Sequence, residues 1–367
     1  MANESRVFEA QQPGAATHAL IIGVGTYPHL LGGNGPTLAD TQGLGQLTSP
    51  PVSACALADW LIGRFTNAER PLGSVRLLAS IDAANQQNGG VAPRIDAIEQ
   101  AANEWLVDGN TNPDNQLLFY FCGHGIGANG LLALLAEDFG SKPNNELDGA
   151  IDFARFHNGM NRCKAQYQCF FIDACRSNAD LLAYGNGVAG RYLFTQPAGT
   201  KKKQQPVFHS TQQGALAHGP TDGRPSYFTQ ALLKGLGGTG SSRTLNTWRV
   251  STTRLHEALS VHMLRARRVQ IPPADDLTMF SITATPNPPV VPVFVRCRPS
   301  NVYNQVTLSC RTPQAVVHQG QMTVEEVELE LTEGAYEFEA SRGGQYVNKV
   351  CSHTVTPPEY PIEIEVA

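Results

Sequence analysis

The sequence predicts an α/β fold, a mostly parallel sheet flanked by helices, followed by a small all-β sandwich. Short apolar runs alternate with stretches of helical periodicity as far as Leu236, which is the pattern of strand–helix–strand units with right-handed crossovers. From Val293 onward apolar residues alternate with Glu instead, as they do in half-exposed antiparallel strands. Between the two lies Thr285-Pro286-Asn287-Pro288-Pro289-Val290-Val291-Pro292, a stiff joint that ends the preceding element. The implied organisation is a polar tail at 1–17, an α/β domain at 18–285, a linker at 286–292 and an all-β domain at 293–367.

His18 to Val24 is apolar and bounded by Gly, which predicts a first buried strand. Gly32 to Gly45 is a Gly-rich loop. Ser53 to Phe65 reads as a helix with Ser53 as N-cap and Ala54, Leu57, Ala58, Leu61 and Phe65 on one side. Ser74 to Ser80 is a second strand. Pro93 opens a helix in which Ile95, Ile98, Ala102 and Trp105 recur at helical spacing. Leu117 to Cys122 is a strand, Phe153 to Ala165 a helix, and Cys169 to Asp173 another strand. Pro206 to Ser210 is a short strand and Tyr227 to Leu236 a helix. In the C-terminal part, Val293–Val295, Val306–Leu308, Val327–Leu331, Tyr336–Ala340 and Ile362–Val366 read as strands, with a turn at Glu333-Gly334.

Composition excludes several classes. The formal net charge is −5, too mild for nucleic acid as the main partner. From Val290 onward there are ten Glu and no Asp against four Arg and one Lys, so the acidity resides there and the rest is neutral. No tract of about eighteen apolar residues is present, so no membrane span is expected. Met1 to Thr17 lacks the basic-then-apolar pattern of a signal peptide. Eight Cys with no CxxC pair and no zinc spacing fit a reducing cytoplasm rather than a disulfide framework or a metal site.

Two of the predicted strands end in reactive residues. The run Leu117 to Cys122 leads into Gly123-His124-Gly125, and the run Cys169 to Asp173 leads to Cys175, 51 positions after His124. Sites in parallel sheets form at the carboxyl ends of strands. A Cys and a His at two such ends can act as nucleophile and proton carrier. Cys122 and Cys169 lie inside strands and read as core, and Cys55 and Cys163 carry no motif. His18, His29, His157, His209 and His218 read as ordinary, and Arg265, Arg267 and Arg268 as a solvated helix end.

These residues resemble the caspase-like clan of cysteine peptidases, which comprises caspases, metacaspases and their bacterial relatives. The caspase signature is Gln-Ala-Cys, then Arg, Gln or Gly, then Gly, with the His about fifty residues upstream. Asp173-Ala174-Cys175-Arg176-Ser177 departs at its first and last positions, and an Asp two before the Cys is the metacaspase form. Leu47 to Ala54 with Leu57 to Leu61 resembles the first helix region of bacterial caspase-family proteins. Pro225 to Leu233 resembles the segment that closes the fold after the substrate strand. The resemblance runs from His18 to Gly238.

It implies a caspase-like sheet and a cysteine endopeptidase making limited cuts in protein or peptide substrates, with a catalytically inactive caspase-like scaffold as the rival. Cys175 would attack the peptide carbonyl, His124 would protonate the leaving amine, and the backbone N–H groups of Gly125 and Cys175 would hold the oxyanion. Asp173 would lie in the pocket for the residue before the cut and favour Arg or Lys. Ser53 stands where metacaspases place a second pocket Asp, and some bacterial relatives cut after neutral residues. Gly214, Ala215, Leu216 and Ala217 would carry substrate contacts. Arg176 could lower the thiol pKa, with a structural ion pair as the plainer reading.

The stretch Ser177 to Gln205 matches the segment in which such enzymes are cut during activation. Arg191, Lys201, Lys202 and Lys203 are the self-cleavage candidates there. No cofactor is expected. Metacaspases often use calcium held by Asp residues, and Asp138, Asp152 and Asp180 lie in comparable regions, but the adjacent Asp pair typical of that site is absent. The C-terminal β domain resembles small modules of the PEGA type and is expected either to contact a protein partner or to serve as a stabilising appendage. Gly32 to Gly45 has neither a P-loop Lys-Ser/Thr nor GxGxxG, so a phosphate site there is discounted.

Overall fold

The computed structural model describes residues 5–80, 91–128, 131–142, 144–175, 177–178, 189–196, 198–212, 220, 222–266, 272–343 and 349–366. The chain runs through β1 (Arg6–Glu9), β2 (Thr17–Gly23), α1 (Ser49–Arg64), β3 (Leu72–Ala79), α2 (Ile95–Gly109) and β4 (Gln116–Gly123). Next come β5 (Gly125–Ala128), β6 (Leu131–Leu135), β7 (Ala150–Asp152), α3 (Phe153–Gly159), β8 (Tyr167–Ala174), β9 (Ser177–Asn178), β10 (Val207–His209) and α4 (Tyr227–Lys234). They are followed by β11 (Ser241–Thr244), β12 (Thr247–Ser251), α5 (Thr252–Arg265), β13 (Ala274–Asp275) and β14 (Ser281–Thr285).

Seven strands form the main sheet in the order β1-β3-β2-β4-β8-β10-β13. The five inner strands are parallel. The two edge strands, β1 and β13, are antiparallel to their neighbours. Every residue of β2, β3 and β4 is buried, and all of β8 except Tyr167. Both faces of these strands are covered, which is why they read as unbroken apolar runs. The chain leaves β2 for β3 on one side and returns to β4 on the other. The crevice outside the carboxyl ends of β2 and β4 is therefore where a site is expected.

Helix α1 begins a turn earlier than predicted, with Pro50 and Pro51 in its first turn, where a missing N–H breaks no helical hydrogen bond. Ser53 is thus inside the helix rather than its cap. The helix passes close over β2: a Cβ on Gly23 would stand 2.5 Å from the Pro50 carbonyl oxygen. Helix α2 starts at Ile95, whose N–H donates to Asp138 Oδ1 at 2.9 Å. The predicted stripe Ile95, Ile98, Ala102 and Trp105 is buried, and Trp105 Nε1 donates to the His18 carbonyl at 3.0 Å. Helix α3 is capped by Asp152, whose Oδ1 accepts from Arg155 N at 3.0 Å. It ends at Gly159 and passes into a 3-10 turn, Met160–Arg162, short of the predicted Ala165. Its Phe156 packs on Phe119 of β4, ring centroids 5.0 Å apart, in the main core.

The chain divides into two compact units, one of residues 1–233 and 262–283, the other of 234–261 and 284–367. The second unit adds β15 (Val290–Arg298), β16 (Thr307–Arg311), β17 (Val316–Gln321), β18 (Glu326–Thr332), β19 (Gly334–Ser341), β20 (Lys349–Val355) and β21 (Tyr360–Glu365). They form two sheets, β18-β15-β21 and β17-β16-β19-β20, around one core that includes Val293, Val295, Leu308, Leu329, Phe338 and Ile362. All pairings are antiparallel except β15 with β21, which is parallel. Val290–Pro292, expected as linker, already pairs with Thr332–Glu330. Among the described residues, no helix is long and apolar enough to cross a membrane.

Candidate active site

β4 and β8 pair in parallel with Cys122 opposite Asp173 and Gly123 opposite Ala174. His124 and Cys175 are the next residue on each strand. Beyond them the chain resumes as β5 and β9, which again pair in parallel, Ile126 with Ser177 and Gly127 with Asn178. These strands belong to a second sheet, β7-β6-β5-β9. Each reactive residue therefore occupies the break between two strands, and each of those strands is tied to its counterpart on the other segment. Cys175 is half-buried and His124 is 7% exposed.

His124 is held from three sides. Its Nε2 lies 2.7 Å from the Gly45 carbonyl oxygen. A carbonyl can only accept, so Nε2 carries the proton and Nδ1 keeps its lone pair. The His124 backbone N–H donates to Tyr27 Oη at 2.8 Å, and its carbonyl accepts from Leu135 N at 3.0 Å. The Tyr27 ring lies 4.8 Å from the imidazole. Burial holds the His124 pKa below its ordinary value, and the Gly45 contact opposes this in part. Burial pushes the Tyr27 hydroxyl well above the usual range, so it stays protonated.

The loop that delivers Gly45 is pinned by its neighbour Gln46. Its Oε1 accepts from Tyr27 N at 2.8 Å, and its Nε2 donates to the carbonyls of Tyr27 at 2.9 Å and Leu31 at 3.0 Å. Tyr27, Gly45 and Gln46 were not singled out from the sequence. The available signal was a Gly-rich loop following the first strand at the point where strand order reverses.

Gly125 follows His124 so closely against the other segment that a Cβ there would stand 2.5 Å from the Cys175 carbonyl oxygen. Asp173 is buried. Its Oδ2 accepts from Ser226 Oγ, from Thr229 Oγ1 at 3.2 Å and from Cys122 Sγ at 3.4 Å. Burial raises its pKa, and these neutral donors oppose the shift. Ser226 Oγ also accepts from Thr229 N at 3.0 Å, capping α4, and Ser53 Oγ accepts from Ser226 N at 2.9 Å. Ser53 and Asp173 thus both reach Ser226 at the start of α4. Burial and the nearby Asp173 push the Cys122 thiol up, in keeping with an inert core residue.

Gly214, Ala215, Leu216, Ala217, Arg176 and Asp180 lie outside the described residues. Arg191 departs from expectation. A self-cleavage site needs accessible backbone, but Arg191 pairs with Asp148 at 3.0 Å, with Glu99 at 3.2 Å and with Asp96. Its backbone also bonds to Ala150 O and Asp152 N. Leu193 and Phe194 beyond it are buried in the core. Lys201 and Lys202 are exposed and Lys203 is half-buried. Lys202 pairs with Asp276 at 2.6 Å. Asp138 and Asp152 are occupied as helix caps, and no group of three ligating side chains occurs among the described residues.

A protein-family model described as Caspase domain matches residues 16–275. The chain is 29% identical over 212 residues to an uncharacterized protein, y4kE, of Sinorhizobium fredii. That match takes in 53% of this chain and 58% of the other protein's length. Among solved structures, caspase-1 from Spodoptera frugiperda is similar with a TM-score of 0.42 and 16% identity, over 73% of this chain and 92% of that one.

Proposed function

The chain belongs to the caspase domain family, and from that premise we propose that it is a cysteine endopeptidase making limited cuts in protein partners. The observation that carries this reading is the placement of His124 and Cys175 at the paired ends of β4 and β8, with Nε2 of His124 committed to Gly45. Nδ1, which keeps its lone pair, is then the nitrogen that would take the thiol proton. In the proposed reaction the Cys175 proton passes to Nδ1 as sulfur attacks the peptide carbonyl. The same proton leaves with the departing amine, and a thioester remains. Water then attacks the thioester, gives a proton to Nδ1, and releases the new carboxyl group and the thiol. The N–H groups of Gly125 and Cys175 would hold the oxyanion in both steps.

A preference for Arg or Lys before the cut rests on Asp173, a buried carboxylate two residues from the nucleophile whose hydrogen-bond partners above are all neutral. Such a group gains from a cation placed beside it. Lys201 to Lys203 remain the proposed self-cleavage segment. Intact masses of wild type and Cys175→Ala, made in parallel, should differ by a break there, and equal masses would remove that step. The reading includes a cytoplasmic location, no required cofactor and protein contacts through the C-terminal unit.

The test of the main reading is labelling by an electrophilic peptide probe. Wild type should label, and Cys175→Ala and His124→Ala should each lose labelling and peptidase activity while remaining folded. A wild type that neither labels nor cleaves a proteome-derived peptide library would favour the inactive scaffold.

A further inference from the structure

Among the described residues of the second unit, one sheet edge is undefended. β17 (Val316–Gln321) is the terminal strand of β17-β16-β19-β20, paired on one side only, with β16. None of its six residues is buried, and Val316 and Val317 are 59% and 50% exposed. The strand therefore supplies nothing to the core of its own unit, yet it displays two adjacent β-branched side chains to solvent. It has no Asp, Glu, Lys, Arg or Pro. Sheet edges are ordinarily blunted with charge, proline or a covering element.

The other edges of the two sheets follow that rule. β18 carries Glu326, Glu328 and Glu330, and β21 carries Pro361, Glu363 and Glu365. β20 opens on Lys349.

We propose that β17 is the docking edge for a second copy of this chain, the two β17 strands pairing antiparallel across a two-fold axis. Charge selects this occupant. An antiparallel self-pair brings a strand against its own sequence, so any like charges on it repel. β17 carries no fixed charge and meets no such penalty, whereas β18 or β21 would set Glu against Glu. The region from Val290 onward is acidic, which disfavours approach of two copies by any route except an uncharged strip. A two-fold pairing uses β17 of both copies, so the contact closes as a dimer and does not extend into a fibre. The contact is small, a single strand pair, so the dimer should be concentration-dependent.

Val317 and Gln319 lie two apart, both exposed, on one face of the strand. Sedimentation velocity of the full chain over a concentration series should show a monomer–dimer equilibrium for the wild type. The pair Val317→Glu with Gln319→Glu should be monomeric throughout, and so should Val317→Lys with Gln319→Lys. Both should keep the wild-type thermal midpoint, since neither side chain is buried. An equimolar mixture of the two double variants should recover the dimer, because opposite charges then face each other. A monomeric wild type at every concentration, a dimer that survives in the Glu pair, or a mixture that stays monomeric would each overturn the assignment. The outcome does not depend on peptidase activity.

Discussion

The Nε2 atom of His124 lies 2.7 Å from the carbonyl oxygen of Gly45, a residue 79 positions earlier in the chain. This one contact fixes the tautomer of the neutral imidazole, leaves Nδ1 with its lone pair, and brings the Gly-rich loop to the candidate site. The loop is itself held by Gln46 through three hydrogen bonds and by Leu47 N to Gly25 O at 2.9 Å. A backbone carbonyl on a pinned loop can do the orienting work that a third side chain does in other catalytic groups.

Tyr27→Phe tests the second support of His124. The ring contact remains, but the His124 N–H loses its acceptor in a buried place. Leaving such a donor unpaired costs about 1–3 kcal/mol. The expected result is a lower thermal midpoint together with a drop in kcat of roughly tenfold and little change in KM, since the imidazole is displaced and no substrate contact is removed. Unchanged kcat would show that Tyr27 Oη does not position the imidazole.

Gly125→Ala tests how closely the two reactive segments approach. The added methyl would meet the Cys175 carbonyl at 2.5 Å, so one segment must move. Overpacking of this kind costs about 1–3 kcal/mol, and any movement shifts the N–H groups assigned to the oxyanion. Activity should fall by roughly 100-fold or more, while probe labelling of Cys175 falls less. Wild-type kcat in Gly125→Ala would remove Gly125 from the site.

The pH dependence follows from burial of His124. Its pKa is lowered from 6.5 in the folded protein. Only the neutral imidazole can accept the thiol proton, so the acid limb of kcat/KM should have its midpoint below pH 6.5. The unfolded chain binds that proton first as pH falls. His124 therefore contributes a loss of stability that begins as pH drops through 6.5 and is complete below its folded pKa. Chemical denaturation across pH 5 to 7 should show this decline in wild type and a smaller one in His124→Gln.

Asp173→Gln separates charge from packing. If the carboxylate selects substrate, kcat/KM for peptides with Arg or Lys before the cut should fall by about tenfold or more, with neutral peptides changed little. Equal losses for both classes would instead assign Asp173 to anchoring α4 through Ser226 and Thr229. A wild-type library profile led by Leu, Met or Asp would set the basic preference aside.

Much of this protein is written locally. The parallel strands are unbroken apolar runs, and the strand ends at His124 and Cys175 can be read because each run stops at a reactive residue. The change to alternation with Glu marks the second architecture for the same reason: period and composition are properties of a few adjacent residues. Other features depend on residues far apart in the chain meeting in space. Gly45 and Tyr27 reach His124 across 79 and 97 positions, and Ser226 reaches Asp173 across 53. No spacing rule encodes such meetings. Arg191 is a cleavage candidate by its place in the chain, and only the fold brings Asp96, Glu99 and Asp148 around it. β17 escaped notice because none of its side chains is buried, so it has no hydrophobic period to read. The sequence by itself determined that His124 and Cys175 stand at the ends of two buried strands. The tertiary structure decided which nitrogen of His124 carries the proton, what Asp173 touches and which sheet edge is paired on one side among the described residues, because hydrogen bonds and ion pairs depend on distances that only the packed chain sets.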